Sequence, residues 1–226
     1  MELNADFSVR AVVHSARMPW VPSPMAGVER RMLDRIGEEV ARATSIVRYA
    51  PGSHFSPHTH DGGEEFLVLE GVFSDEHGDF PAGTYIRNPP TSRHTPGSAP
   101  GCVLFVKLWQ FDLQDRTDVR IETSDRAFAP VPGRDGVSAQ LLFRDAREIV
   151  RLEHWASNAA VHLVPGNGAE LLVLKGSCVE NGETFAPLSW LRLPPGATLN
   201  AVAGPNGCDL WIKTGHLGLP AIRPPG

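Results

Sequence analysis

Apolar residues in this chain fall in short runs separated by turn-forming residues. Ser45–Tyr49, Glu65–Leu69, Val103–Trp109, Leu171–Leu174 and Leu210–Lys213 are four to seven residues long. Such lengths suit β-strands, because a globular helix needs a longer amphipathic stretch. The 20 prolines and 22 glycines are scattered between the runs rather than gathered in one linker. Each run is therefore bounded by residues that favour turns, and the expectation is an all-β protein. The best helical pattern lies over Val28–Val40, where Met32, Leu33 and Ile36 would share one helical face. The same residues also fit strands of a barrel.

An internal repeat sets the expected organisation. Glu65-Phe-Leu-Val-Leu-Glu-Gly71 returns 105 residues later as Glu170-Leu-Leu-Val-Leu-Lys-Gly176, with five of seven positions identical. Tyr85-Ile-Arg-Asn-Pro-Pro90 returns as Trp190-Leu-Arg-Leu-Pro-Pro195 at the same shift. Gly101-Cys102 and Lys107 return as Gly207-Cys208 and Lys213 after one added residue. A collinear series of this kind implies duplication. It predicts two tandem β-barrels, residues 1–115 and 116–226, joined near the polar stretch Asp112–Ser124.

The chemistry is concentrated in the first copy. His58 and His60 are two apart, so on a strand both side chains point to one face and Thr59 to the other. Asp61-Gly62-Gly63 reads as a tight reversal, after which a carboxylate returns beside the histidines. Adjacent strand residues face opposite sides, so either Glu64 or Glu65 is that carboxylate. Glu64 shares parity with Phe66 and Val68 and is favoured; Glu65 would face outward or support the ligands from behind. His94, after the turn-rich Asn88-Pro89-Pro90-Thr91-Ser92, supplies a third imidazole from a distant strand. Three nitrogens and one oxygen suit a borderline divalent ion, with zinc first and iron, manganese, cobalt or nickel as alternatives.

Gly52, His58, His60, Glu64 and Gly71 match the first motif of the cupins, G-x5-H-x-H-x3-4-E-x6-G, at each fixed position. In their second motif Pro89 and His94 fit, while Thr91 stands where glycine belongs and Ser98 where asparagine belongs. Over about residues 46–108 the chain resembles ChrR-type cupins, the sensor domain of a zinc-binding anti-sigma factor. The resemblance implies a jelly-roll barrel and, with the repeat, a tandem bicupin. It implies a regulatory or ligand-sensing role for a bound metal. The His-x3-Cys-x2-Cys motif of the anti-sigma domain is missing from residues 1–45, so binding to a sigma factor is not expected. Cupins also include metal-dependent oxygenases, and a dioxygenase of a small carbonyl or aromatic compound is the alternative function. No catalytic residue can be named from sequence.

At the 105-residue shift His58 falls on Leu163, His60 on Pro165, Glu64 on Ala169 and His94 on Leu199. None of these can coordinate an ion, so the second copy is expected to be structural. His54, His77, His154, His162 and His216 read as surface or packing histidines, although His162 beside Glu170 could form a partial site. Arg87 recurs as Arg192 in the ligand-free copy, which points to the fold rather than the chemistry. Phe66, Val68, Phe73 and Trp109 read as core or pocket wall. Cys102, Cys178 and Cys208 form no C-x-x-C pair and are expected to be buried thiols.

The net charge of −5 comes with no basic run, so direct nucleic-acid binding lacks its electrostatic footprint. No apolar stretch approaches a membrane span, and no secretory signal is recognisable; a cytoplasmic location is the expectation. A small-molecule ligand and a homodimer paired through edge strands complete the expected partners.

Overall fold

The computed structural model describes residues 1–38, 40–218 and 224. They form antiparallel strands with two short 3-10 turns and no α-helix. Two compact units emerge among them: Met1–Ala5 with Pro19–Asp125, and Asp6–Met18 with residues 126–218. The N-terminal segment Asp6–Met18 thus belongs to the second unit, and the strand Val119–Glu122 to the first.

In the first unit the main sheet runs Val28–Gly37, Ala41–Tyr49, Cys102–Leu108, Glu64–Asp75, Thr84–Asn88, Val119–Glu122. His58–His60 and Ser92–His94 form a separate two-stranded ribbon. Phe66, Val68, Phe73, Phe80, Ile86, Cys102, Leu104 and Val106 point inward from alternate strand positions and make a buried cluster. Phe66, Val68 and Phe73 are therefore core.

The second unit repeats this order as Val137–Arg144, Ile149–Trp155, Leu199–Thr214, Ala169–Glu180, Ser189–Leu193, closed by Ala11–His14. Each long sheet thus gains an edge strand on its 105-shifted partners: Val119–Glu122 on Thr84–Asn88, and Ala11–His14 on Ser189–Leu193. The arginine of each pair anchors its edge. Arg87 stacks on Phe111 at 4.0 Å and pairs with Asp115. Arg192 stacks on Phe7 at 4.0 Å and donates to the Asp6 carbonyl at 2.9 Å. Both arginines are buried fold residues, which agrees with their recurrence in sequence.

Of the two readings open for Val28–Val40 the strand holds and the helix does not: Val28–Gly37 is paired along its length with Ala41–Tyr49. A bulge between Met32 and Asp34 adds a residue to one side of the pair. That extra residue breaks the strict alternation and leaves Leu33 and Ile36, both buried, at a spacing that imitates a helix.

Candidate metal centre

The two-stranded ribbon places His94 directly opposite His58, and Ser92 opposite His60. Period-two alternation then brings all three imidazoles to one face while Thr59 stays exposed. The rings meet edge-on, with centroids 4.7 Å (His58–His60), 5.0 Å (His58–His94) and 4.8 Å (His60–His94) apart. One nitrogen from each lies within 4.8 Å of the others. Glu64, at the start of the strand Glu64–Asp75, brings Oε2 to 3.3 Å from His60 Nε2 and 3.7 Å from His94 Nε2.

The turn between His60 and Glu64 needs both of its glycines, for different reasons. Gly63 has φ of 75° and donates its N–H to the His60 carbonyl at 3.1 Å. A Cβ on Gly62 would lie 2.1 Å from Trp109 Cδ2, and one on Gly63 would lie 2.5 Å from Phe111 Cδ2. Two aromatic rings lie against the bare backbone and fix the angle at which His60 leads into Glu64. Across the ribbon Thr91, where the cupin motif carries glycine, adopts φ of 73°. Its N–H donates to the same His60 carbonyl at 2.9 Å. The turn keeps its left-handed geometry although the residue there is β-branched.

The spacing can be tested against a metal. With ligands about 2.1 Å from an ion, neighbouring donors lie about 3.0 Å apart at right angles and about 3.4 Å apart in a tetrahedron. His60 Nε2 and His94 Nε2 are 2.9 Å apart, and the two Glu64 distances are 3.3 and 3.7 Å. Donors on His60, His94 and Glu64 thus have the spacing of ligands around one divalent ion, and His58 offers a nitrogen within 4.8 Å of those of the other two histidines.

Residues behind the imidazoles turn them the right way. His58 Nδ1 lies 3.1 Å from the Ser56 carbonyl. A carbonyl only accepts, so Nδ1 carries the proton and the Nε2 lone pair is left for the centre. His94 Nδ1 faces the Asp75 carboxylate at 3.4 Å with the same consequence. Asn88, in register opposite Glu64, donates Nδ2–H to Glu64 Oε2 at 3.1 Å and holds the carboxylate in place. Burial, aided by the two neighbouring imidazoles and opposed by Glu64, pushes the His60 pKa down. Burial also disfavours charge on His94, but the Asp75 hydrogen bond and Glu64 outweigh it and raise its pKa. Asp75 is held below the ordinary carboxylate range: burial opposes this, and hydrogen bonds from His94 and the His77 N–H prevail.

A cleft of about 620 Å³ opens beside the cluster. His58, His60 and Glu64 form one part of its wall, and Tyr49, Trp109 and Arg30 contribute others. Burial, reinforced by the Glu64 charge, raises the Tyr49 phenol well above its ordinary value, so its hydroxyl stays protonated. Trp109 is thus cleft wall as well as the ring that packs on Gly62.

Ser56, Asp75 and Asn88 were missed by sequence reasoning. Asn88 stood out only as part of a turn. Glu65 lies on the opposite sheet face from Glu64, as parity requires. That face is not solvent: Glu65 is buried and accepts a 2.7 Å hydrogen bond from Tyr85.

The second unit repeats the register with apolar residues. Leu163 pairs with Leu199 as His58 pairs with His94, and Ala169 pairs with Leu193 as Glu64 pairs with Asn88. Trp155, at the Tyr49 position, is fully buried in a core with Leu171, Leu199 and Leu210. Only about 10 Å³ of space remains among them. His162 is not beside Glu170; it pairs with Asn200 at 2.8 Å at the surface, while Glu170 faces His216 at 3.3 Å. Parity explains the difference, since His162 and Val161 face opposite sides and Val161 takes the core. His154 is exposed and bonded to Asp209 at 2.6 Å. All three cysteines are free and buried.

The chain is an antiparallel jelly-roll fold of the cupin kind, with inward-facing histidines on a ribbon beside an open cleft. Consistently, residues 8–112 match the family model described as ChrR Cupin-like domain. None of the curated proteins matches the chain by sequence. Among solved structures, a candidate dioxygenase from Nostoc punctiforme superposes with TM-score 0.70 at 12% identity, covering 100% of this chain and 87% of its own. The pirin YhhW from Escherichia coli, in complex with nickel(II), gives TM-score 0.65 at 13% identity, covering 91% and 98%. Salicylate 1,2-dioxygenase from Pseudoaminobacter salicylatoxidans gives 0.56 at 12% identity, covering 76% and 68%. At these identities the likeness is one of fold.

Proposed function

We propose that the chain is a tandem cupin whose first unit holds one divalent metal ion on His58, His60, Glu64 and His94 and presents it to a small molecule in the adjoining cleft. The observation that carries this reading is the convergence of three imidazoles and one carboxylate at the wall of a 620 Å³ cleft. Four protein donors leave one or two positions of a five- or six-coordinate ion for an external ligand. Ser56 and Asp75 hold the imidazole tautomers, and Asn88 orients the carboxylate. Tyr49 offers a hydrogen-bond donor beside the ligand, and Trp109 limits the width of the cleft. The second unit, filled with leucine and tryptophan, serves as scaffold. In the regulatory role that the resemblance to ChrR-type cupins implies, occupancy of this cleft would be the signal.

A second reading is favoured by the size of the cleft and its position against the cluster: a metal-dependent oxygenase of a small carbonyl or aromatic compound. A bound divalent ion supplies Lewis acidity and, as iron, the redox chemistry of oxygen transfer. The chain's own part in that reading is to exclude bulk water with Trp109, Val106 and Leu108 and to keep the Tyr49 proton available. Metal analysis of the purified protein, then an oxygen-electrode screen over small diketones and hydroxyphenyl ketones with the iron-loaded protein, separates the two. Zinc with saturable ligand binding and no oxygen uptake supports the binding role. Iron with substrate-dependent oxygen uptake establishes the oxygenase. Protein that takes up no metal refutes both.

A further inference from the structure

Among the described residues Arg30 is the one arginine or lysine in the cleft wall, and neither motif nor repeat drew attention to it. It lies on the strand Val28–Gly37 opposite Val47, and both residues line the cleft. Its neighbours on the other face are committed. Arg48 pairs with Glu29, and Arg31 and Arg48 sandwich Trp20 at 4.2 and 4.4 Å. Arg30 makes no ion pair or side-chain hydrogen bond among the described residues, and its Nε is buried without a partner. A guanidinium in a cavity wall with no protein acceptor keeps its donors for a ligand. Tyr49, also in the wall, adds a protonated hydroxyl without a partner among the described residues.

The register of the second unit gives an internal control. Val28 pairs with Tyr49 and Val137 with Trp155, so Arg30, opposite Val47, corresponds to Ala139, opposite Glu153. Arginines that serve the fold, Arg87 and Arg192, are kept in both units. Arg30 is replaced by alanine in the unit where His58, Glu64 and His94 are replaced by apolar residues. It goes with the site, not with the barrel.

Resting on the metal-centre reading above, we propose that the cleft takes a small organic anion, its carboxylate held by Arg30 and Tyr49 while a second oxygen faces the metal. Guanidinium and carboxylate pair through two parallel N–H···O bonds, which gives orientation as well as affinity. Glu64 and Asp61 put negative charge in the same wall, so the guanidinium of Arg30 is what admits an anion there.

The test compares matched pairs of similar shape, pyruvate with 2,3-butanedione and benzoate with benzamide, by calorimetry on the full chain. Each is titrated into metal-loaded and chelator-treated protein, wild type, Arg30→Met and Arg30→Lys. The expected result is tighter binding of at least one carboxylate than of its neutral partner. Arg30→Met should weaken that carboxylate by about 10- to 100-fold, the loss of a charge-assisted contact, and Arg30→Lys by less. Metal content and melting temperature should stay at wild-type values in both variants, which shows that the fold and the ion are intact. Carboxylates that bind no better than their neutral partners, or bind equally well to Arg30→Met, overturn the proposal even where metal is present. Arg30-dependent carboxylate binding to a protein that holds no metal would instead uphold the anion site and refute the metal centre.

Discussion

Gly62→Ala tests whether the His60–Glu64 turn is fixed by the ring packed on it. The added Cβ would lie 2.1 Å from Trp109 Cδ2 and 2.4 Å from both Cε3 and Cγ. Carbon atoms in contact sit about 3.5–4.0 Å apart, so ring or turn must move by about 1.4 Å. Overpacking of this size costs about 1–3 kcal/mol. A protein of this length loses about 2–4 °C of melting temperature per kcal/mol, which predicts a fall of about 2–12 °C in metal-free protein. Because the turn carries His60 on one side and Glu64 on the other, the shift also spreads the donors, and divalent-metal affinity should fall about tenfold or more. Thermal unfolding in chelator and competition titration of metal measure the two effects separately. In a Trp109→Ala background the obstacle is gone, and Gly62→Ala should then cost under about 0.5 kcal/mol. Wild-type melting and wild-type affinity in the single variant, or an equal loss in both backgrounds, would show that the ring does not position the turn.

Asp75→Asn keeps the shape but removes the charge that holds His94 by its Nδ1; metal affinity should fall about 10-fold while metal-free stability changes little. Unchanged affinity by competition titration would remove Asp75 from the centre. Thr91→Gly should raise the melting temperature, since an L-residue in the left-handed region costs about 1–2 kcal/mol and glycine returns part of that as chain entropy. A lower melting temperature by calorimetry would mean the Thr91 side chain contributes more than its backbone strain costs. The segment Ala11–His14 should be held less tightly in acid. Hydrogen bonds from His14 and Arg10 lower the Glu183 pKa below its ordinary 4.5, so the stability they provide is complete above that value and lost as pH falls through the folded-state value. Amide-exchange protection of residues 11–14 should drop over that range in wild type and show no such step in Glu183→Gln; a step of equal size in both would refute the linkage.

Much of this architecture was readable from particular residues. His58, His60 and Glu64 announce themselves because period-two alternation and a Gly-Gly turn are local rules, and His94 because the turn before it is rich in proline. The strand class followed from short apolar runs. What escaped was set by pairing between distant strands. Asn88 matters because it falls opposite Glu64, and Arg30 because its strand forms the cleft wall; neither register is written in the local pattern. Val28–Gly37 misled for the related reason that a bulge shifts alternation by one residue. Glu65 was placed on the correct face, but a face parity alone could not show to be covered.

The central claim is a single loaded centre in the first unit. Metal-to-chain stoichiometry by inductively coupled plasma mass spectrometry, on wild type, His60→Ala and Leu199→Ala, tests it most directly. The account predicts about one divalent ion per chain in wild type and Leu199→Ala, and almost none in His60→Ala. Equal metal content in all three proteins, or loss in Leu199→Ala with retention in His60→Ala, would contradict it.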